Sequence, residues 1–145
     1  MPLNTQPCPV ARSVDLIGDR WALLIVRDAF DGVRRFGDFQ RGLGMARNIL
    51  TDRLRKLVEA GIFTTQPASD GTAYQEYVLT KRGESLFPVV VALRQWGEQH
   101  LFAPNEPHSV LIDSQSGEAI APMQPQAADG RILSGANTQV RKLQP

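Results

Sequence analysis

Cysteine is nearly absent from this sequence, with Cys8 alone, and histidine occurs only at His100 and His108. A lone cysteine excludes an intramolecular disulfide, and two histidines without partner cysteines argue against a structural zinc site. No metal and no cofactor are expected. No apolar run approaches the roughly 18 residues of a membrane span, and the N-terminal MPLNTQPCPV has neither the basic start nor the apolar stretch of a secretion signal. A cytoplasmic location without membrane contact is the expectation. A phosphate-binding glycine loop, a metal-ligand cluster and a nucleophile–base pair of legible spacing are also missing, so no enzyme is expected. Excess charge is lacking too: 16 basic residues stand against 15 acidic ones, a net of +1. That near-neutrality would speak against a nucleic-acid partner if the charge were evenly spread.

It is not evenly spread. Between Arg34 and Lys56 lie seven basic residues (Arg34, Arg35, Arg41, Arg47, Arg53, Arg55 and Lys56) against Asp38 and Asp52, a local +5. If the chain touches nucleic acid, this window is the footprint. With 145 residues, 42% of them hydrophobic, the chain can form one compact domain with an appendage.

Pro9 suits the first turn of a helix carrying Val10, Val14 and Ile17 on one face and stopping at Gly18. A second helix starts near Arg20, with Trp21, Leu24, Ile25, Ala29 and Phe30 at helical spacing and a turn at Asp31-Gly32. Two segments joined by a tight glycine-bearing turn follow, RRFGDFQRGL and MARNILTDRLRKLVEAG, a helix-turn-helix pattern. In the second, Met45, Ile49, Leu50, Leu54, Leu57 and Val58 form a stripe to bury, leaving Arg47, Asn48, Thr51, Asp52 and Arg55 opposite. Such a face suits phosphate oxygens and base edges, Arg pairing with guanine and Asn with adenine. The plainer alternative is a solvated helix surface.

Behind Gly61, IFTTQP and YQEYVLT are β-branched and aromatic runs joined around Asp70-Gly71, a hairpin in the position of a wing. Its tip, Ser69 to Ala73, has no Lys or Arg, which argues against a basic side chain inserted into the minor groove and leaves sugar-phosphate contact or none. Thr80 can cap a long helix over residues 81–102. Leu86, Val90, Leu93 and Gly97 form one stripe on it and Val89, Trp96 and His100 an adjoining one, with Pro88 expected to bend or break it. So wide an apolar face exceeds what one small core absorbs and suits pairing with a second subunit, ordinary packing under the wing being the alternative.

The ordered set Cys8-Pro9-Val10, Ile17-Gly18-Asp19-Arg20-Trp21, Leu23-Leu24-Ile25, Arg35-Phe36-Gly37-Asp38-Phe39, Leu50-Thr51-Asp52-Arg53-Leu54-Arg55-Lys56-Leu57, Gly61, Glu76-Tyr77-Val78-Leu79-Thr80-Lys81-Arg82-Gly83 and Trp96-Gly97 resembles the HxlR-type winged-helix regulators, relatives of the MarR family. The likeness covers about two thirds of the chain. It implies a homodimeric transcription regulator bound to operator DNA, joined mainly through its first and last helices. Candidate interface residues are Val10, Val14, Leu93, Trp96 and His100. It implies base contacts from Ala46, Arg47, Asn48 and Thr51. Arg35, Arg55, Lys56 and, on the wing, Thr72 are further candidate DNA contacts. Ala46 departs from the capping Ser usual in the family, and Arg53 reads as a structural arginine paired with a carboxylate or carbonyls. Some relatives sense electrophiles or oxidants near the place of Cys8. At a helix entrance, where dipole and free amides favour negative charge, a reactive thiol is one reading and a packed interface residue the other. Trp21, Phe87 and Trp96 could line an effector pocket between subunits or a dry interface.

The fold class expected is α+β, mainly α: a winged helix-turn-helix domain over 8–103 after a flexible 1–7, with a long C-terminal dimerisation helix. The extension 104–145 is richer in Pro, Gln, Ser and Gly. It holds two similar turn-and-strand units thirteen residues apart, Asp113 to Ile120 and Gln126 to Leu133, similar to the knuckles of a zinc ribbon without its metal. Asp113, Ser116, Gln126 and Asp129 stand where cysteines would. A largely disordered extension is the alternative, and disorder or a basic end with Arg141 and Lys142 is expected after Ser134. A winged-helix protein-interaction module without specific DNA binding is the competing function.

Overall fold

In the computed structural model, which describes residues 1–143, short local signals set the helix boundaries. Cys8 caps α1 (Pro9–Ile17), its Sγ accepting from the Ala11 amide at 3.4 Å. Asp19 caps α2 (Arg20–Phe30), its Oδ1 accepting from the amides of Trp21 and Ala22 at 2.9 and 3.0 Å. Both supply acceptors to amides that a helix start leaves unpaired. A 3-10 turn at Leu3–Thr5 precedes them, with Arg12 Nε donating to the Gln6 carbonyl at 2.7 Å.

Helix α3 (Phe36–Leu43) ends on Gly44, whose φ of +64° is the left-handed conformation that lets the chain turn into α4 (Arg47–Glu59) within a few residues. The wing is an antiparallel pair of β1 (Phe63–Pro67) and β2 (Gln75–Leu79), in register from Phe63 opposite Leu79 to Pro67 opposite Gln75. The Tyr77 amide also donates to the Arg34 carbonyl at 2.8 Å, so the residue just ahead of α3 is fastened to β2.

One core unites these pieces: Ile25 and Val26 of α2, Phe39 of α3, Leu50, Leu54 and Leu57 of α4, and Phe63 of β1 are all essentially inaccessible. Phe39 and Phe63 meet edge to face at 6.3 Å. The apolar stripe expected on α4 is therefore present except at Ile49, which stays 37% exposed.

The expected helix over 81–102 is two helices, α5 (Lys81–Glu84) and α6 (Phe87–His100). Thr80 caps α5 by accepting from the Gly83 amide at 3.0 Å. The interruption falls at Ser85 and Leu86, and Pro88 sits in the first turn of the new helix, where its missing N–H forfeits nothing. At Gly83 the backbone packs so closely that an added Cβ would lie 2.2 Å from the Ile62 carbonyl oxygen.

The chain divides into two compact units, Met1–Val90 and Val91–Pro145, the boundary falling inside α6. In the second unit the extension is tied to α6 by side chains. Gln95 donates to the Ala121 carbonyl at 3.0 Å and accepts from the Met123 amide at 2.8 Å, and Arg94 donates to Ser109. The two expected turn units each close with a single bridge, Ile112 to Ala119 and Gln126 to Ile132, around Gly117 and Gly130. Asp113 and Asp129 accept from the amides of Gln115 and Arg131, so both carboxylates brace their own turns. Among the described residues no three His, Cys, Asp or Glu converge as metal ligands, and no helix is long and apolar enough to cross a membrane. Arg141 and Lys142 are described and exposed, while the last two residues of the expected extension lie outside the described part.

Candidate nucleic-acid interface

Because the leucines of α4 face the core, the other side of that helix is left to solvent. Arg47, Asn48, Thr51, Asp52 and Arg55 line one open concavity there. Ala46 occupies the cap position and offers no side-chain acceptor, so the first turn of α4 keeps its unpaired amides. Thr51 Oγ1 donates to the Arg47 carbonyl at 2.8 Å, which keeps the hydroxyl on the helix and leaves its lone pairs outward. A neighbouring groove of 540 Å³ is lined by Arg35, Phe36, Arg41, Arg47 and Tyr74, joining the start of α3, the start of α4 and the wing. Arg47 lies over the Phe36 ring at 5.0 Å and Arg35 over the Tyr74 ring at 5.4 Å.

The electrostatics differ from the sequence count. Arg35 pairs with Asp70 at the wing tip, Arg34 with Glu76 at 3.4 Å and Arg41 with Asp38. Arg53 is held by Asp19 at 3.3 Å and Asp52 at 2.8 Å, Arg55 by Asp52 at 2.7 Å and Glu59 at 3.0 Å, and Lys56 by Asp52 at 3.3 Å. Six of the seven cations are thus paired with six carboxylates, leaving +1 where the linear window held +5. Arg47 is the only one of the seven without a carboxylate partner among the described residues.

Three of these carboxylates, Asp70, Glu76 and Asp52, are correspondingly acidic. Asp70 is held at about 2, first by the Thr72 amide and hydroxyl and then by Arg35. Glu76, which is buried, lies below its ordinary value because the Ser69 amide donates to it at 3.0 Å, aided by the Ser69 hydroxyl and Arg34. Asp52 is lowered by its hydrogen bonds from Arg55 and Lys56, and Arg55 is raised in return by Asp52 and Glu59.

The expected DNA-contact residues therefore fall into two neighbouring groups: Ala46 at the cap of α4 with Arg47, Asn48, Thr51, Arg55 and Lys56 on it, and Arg35 beside the wing tip that carries Thr72. The acidic partners Asp19, Glu59, Asp70 and Glu76 went unnoticed in the charge reading. Only Glu59 had a legible signal, its helical spacing of four from Arg55. The expected interface residues on α1 and α6 are uncovered, Val10 at 70% exposure, Val14 and Leu93 at 51% and Trp96 at 58%, with His100 exposed and 5.1 Å from the Trp96 ring. Trp21 is half-buried against the core and Cys8 is exposed with a free thiol.

Comparison with known proteins places this arrangement. The sequence model of HxlR-like helix-turn-helix proteins matches residues 16–105. An uncharacterized HTH-type transcriptional regulator of Mycobacterium tuberculosis is 46% identical over 113 residues, covering 78% of this chain and 72% of that protein. The crystal structure of PA1607, described as a candidate transcription factor, is similar at 49% identity and a TM-score of 0.91. It covers 98% of this chain and 99% of its own. The oxidized form of the redox regulator HypR is similar at 33% identity and a TM-score of 0.58, covering 64% of this chain and 97% of its own.

Proposed function

This chain belongs to the HxlR-like helix-turn-helix family and is an HTH-type transcriptional regulator, and from that premise we propose that it works as a homodimer binding a specific operator with α4 in the major groove. The observation that carries this reading is the exposed Arg47-Asn48-Thr51 face at the start of α4, with Arg47 free of any carboxylate partner among the described residues. Arg47 and Asn48 have the donors to read guanine and adenine, and Ala46 offers a methyl group to thymine. Arg35, Arg55, Lys56 and the Thr72 hydroxyl serve the sugar-phosphate backbone on either side. Two-fold symmetry then sets the half-sites about 10 base pairs apart.

Dimerisation is supported by the uncovered Val10 and Val14 on α1 and by Leu93, Trp96 and His100 on α6. Trp96→Glu should turn a dimer into a monomer in sedimentation velocity. Redox response is supported by the exposed Cys8 thiol at the cap of α1 and by the likeness to HypR, named a redox regulator. Mild oxidant should release DNA from the wild type and not from Cys8→Ser.

One observation favours a protein-interaction module instead: the cations of the face are largely neutralised by their own carboxylates. Selection from a random duplex library, followed by fluorescence anisotropy of the selected and a scrambled duplex across a salt series, separates the two. Enrichment of a symmetric motif with strong discrimination supports the operator reading. Absence of enrichment with weak, equal binding overturns it in favour of the module.

A further inference from the structure

The exposed side of α4 has one acidic residue in its middle, and its contacts go beyond those of a solvated carboxylate. Asp52 lies four residues after Asn48 and three and four before Arg55 and Lys56, the spacings that share one helix face. Its Oδ1 accepts from Arg55 at 2.7 Å, and its Oδ2 takes Arg53 at 2.8 Å and Lys56 at 3.3 Å. Arg55 is held a second time by Glu59. The face is thus electrically divided: its beginning, at Arg47, is open, and its middle and end are compensated from within.

We infer that Asp52 is a specificity-determining residue of this helix, holding Arg55 and Lys56 away from the phosphates of unrelated DNA and orienting Arg55 for a phosphate contact once Arg47 and Asn48 have seated the helix. The inference rests on the operator-binding reading above. Non-specific binding is essentially phosphate contact, so its strength depends on cations that are free to make it. On an unrelated duplex, Arg55 and Lys56 must leave Asp52 and gain only phosphates, while the carboxylate itself opposes the approaching backbone. On the operator, hydrogen bonds to base edges seat α4 so that Arg55 turns a spare N–H toward a phosphate without leaving Asp52. Asp52 acts through Arg55 and Lys56, so it is a positioning residue whose effect is read as a ratio between two DNAs.

The test uses the full chain, a duplex selected by the wild type and a scrambled duplex, with anisotropy at several salt concentrations. Asp52→Asn keeps shape and removes charge. Its affinity for the scrambled duplex should rise about tenfold, and its salt slope on that duplex should steepen by about two per dimer, as Lys56 is freed in each subunit while Glu59 still holds Arg55. Affinity for the selected duplex should change less than about threefold, because there the variant also weakens the charge-assisted hydrogen bond that orients Arg55. Asp52→Glu retains the charge and should retain the wild-type ratio. Circular dichroism and melting of both variants establish that the helix is intact.

An unchanged ratio and slope in Asp52→Asn, loss of both affinities, or an Asp52→Glu variant that behaves like Asp52→Asn would each overturn the inference and leave operator binding standing. A wild type that selects no duplex at all would overturn the operator reading and the inference with it.

Discussion

Arg47→Ala is the substitution on which the functional reading turns. Arg47 opens α4, shares its surface with Asn48 and Thr51, and approaches DNA with no carboxylate pair to break. A bidentate contact to guanine contributes about 1 to 3 kcal/mol of discrimination at one half-site. A symmetric dimer makes it twice, so the loss is about 2 to 6 kcal/mol, or from roughly 30-fold to beyond 10⁴-fold at about 1.4 kcal/mol per decade. The fold should hardly notice, because the residue is exposed and its intramolecular contact is stacking on Phe36. Arg47→Lys distinguishes the mode of contact: lysine keeps the charge but not the planar fork, so it restores a phosphate contact and fails to restore a guanine contact. The assay is anisotropy on the selected duplex and its single-base variants, with melting midpoints alongside. Binding by Arg47→Ala within twofold of wild type, at an unchanged midpoint, refutes the reasoning.

Ala46→Ser gives α4 the missing cap acceptor and should raise stability by about 1 kcal/mol in chemical denaturation. An unchanged midpoint would mean that the first-turn amides already have partners. Gly83→Ala drives a Cβ to 2.2 Å from the Ile62 carbonyl oxygen and 2.9 Å from Leu79 Cδ2, and should lower stability by about 1 to 3 kcal/mol. A melting temperature at or above wild type would show that β1 and α5 can part without loss. Asp70, held at about 2, lies below its ordinary value, so its contribution to the wing is complete above the ordinary carboxylate range and is lost as pH falls through about 2. The Thr72 amide resonance should therefore titrate with a midpoint near 2, and a midpoint near 4 would contradict the wing-tip geometry.

Much of the scaffold was legible because it depends on near neighbours. Leu50, Leu54 and Leu57 announce the buried side of α4 by their spacing, and Asp70-Gly71 announces the wing turn. Where the sequence misled, a tertiary choice decided. Pro88 is expected to bend or break one long helix, and a break does occur, but at Ser85 and Leu86, because a proline fits the opening turn of a new helix without loss. Ile49 has the residue type of a core position and lies at the margin of the buried arc. The charge reading failed for a different reason: Asp70 is 35 residues from Arg35 and Glu76 is 42 from Arg34, so a local count saw cations whose partners arrive only when the wing folds back. The exposed polar group on α4 was readable because one helix carries all of it.

A face whose cations are already occupied also sets how the protein meets its target. Beyond a screening distance of about 8 Å paired charges of this kind cast little net field, so on the operator reading they add little long-range attraction for DNA ahead of contact. Encounter then runs at the ordinary rate of protein docking, about 10⁵ to 10⁷ M⁻¹s⁻¹, rather than the hundredfold faster rate of steered partners. On the operator reading proposed above, occupancy of a promoter is governed by how long the protein stays once it has arrived.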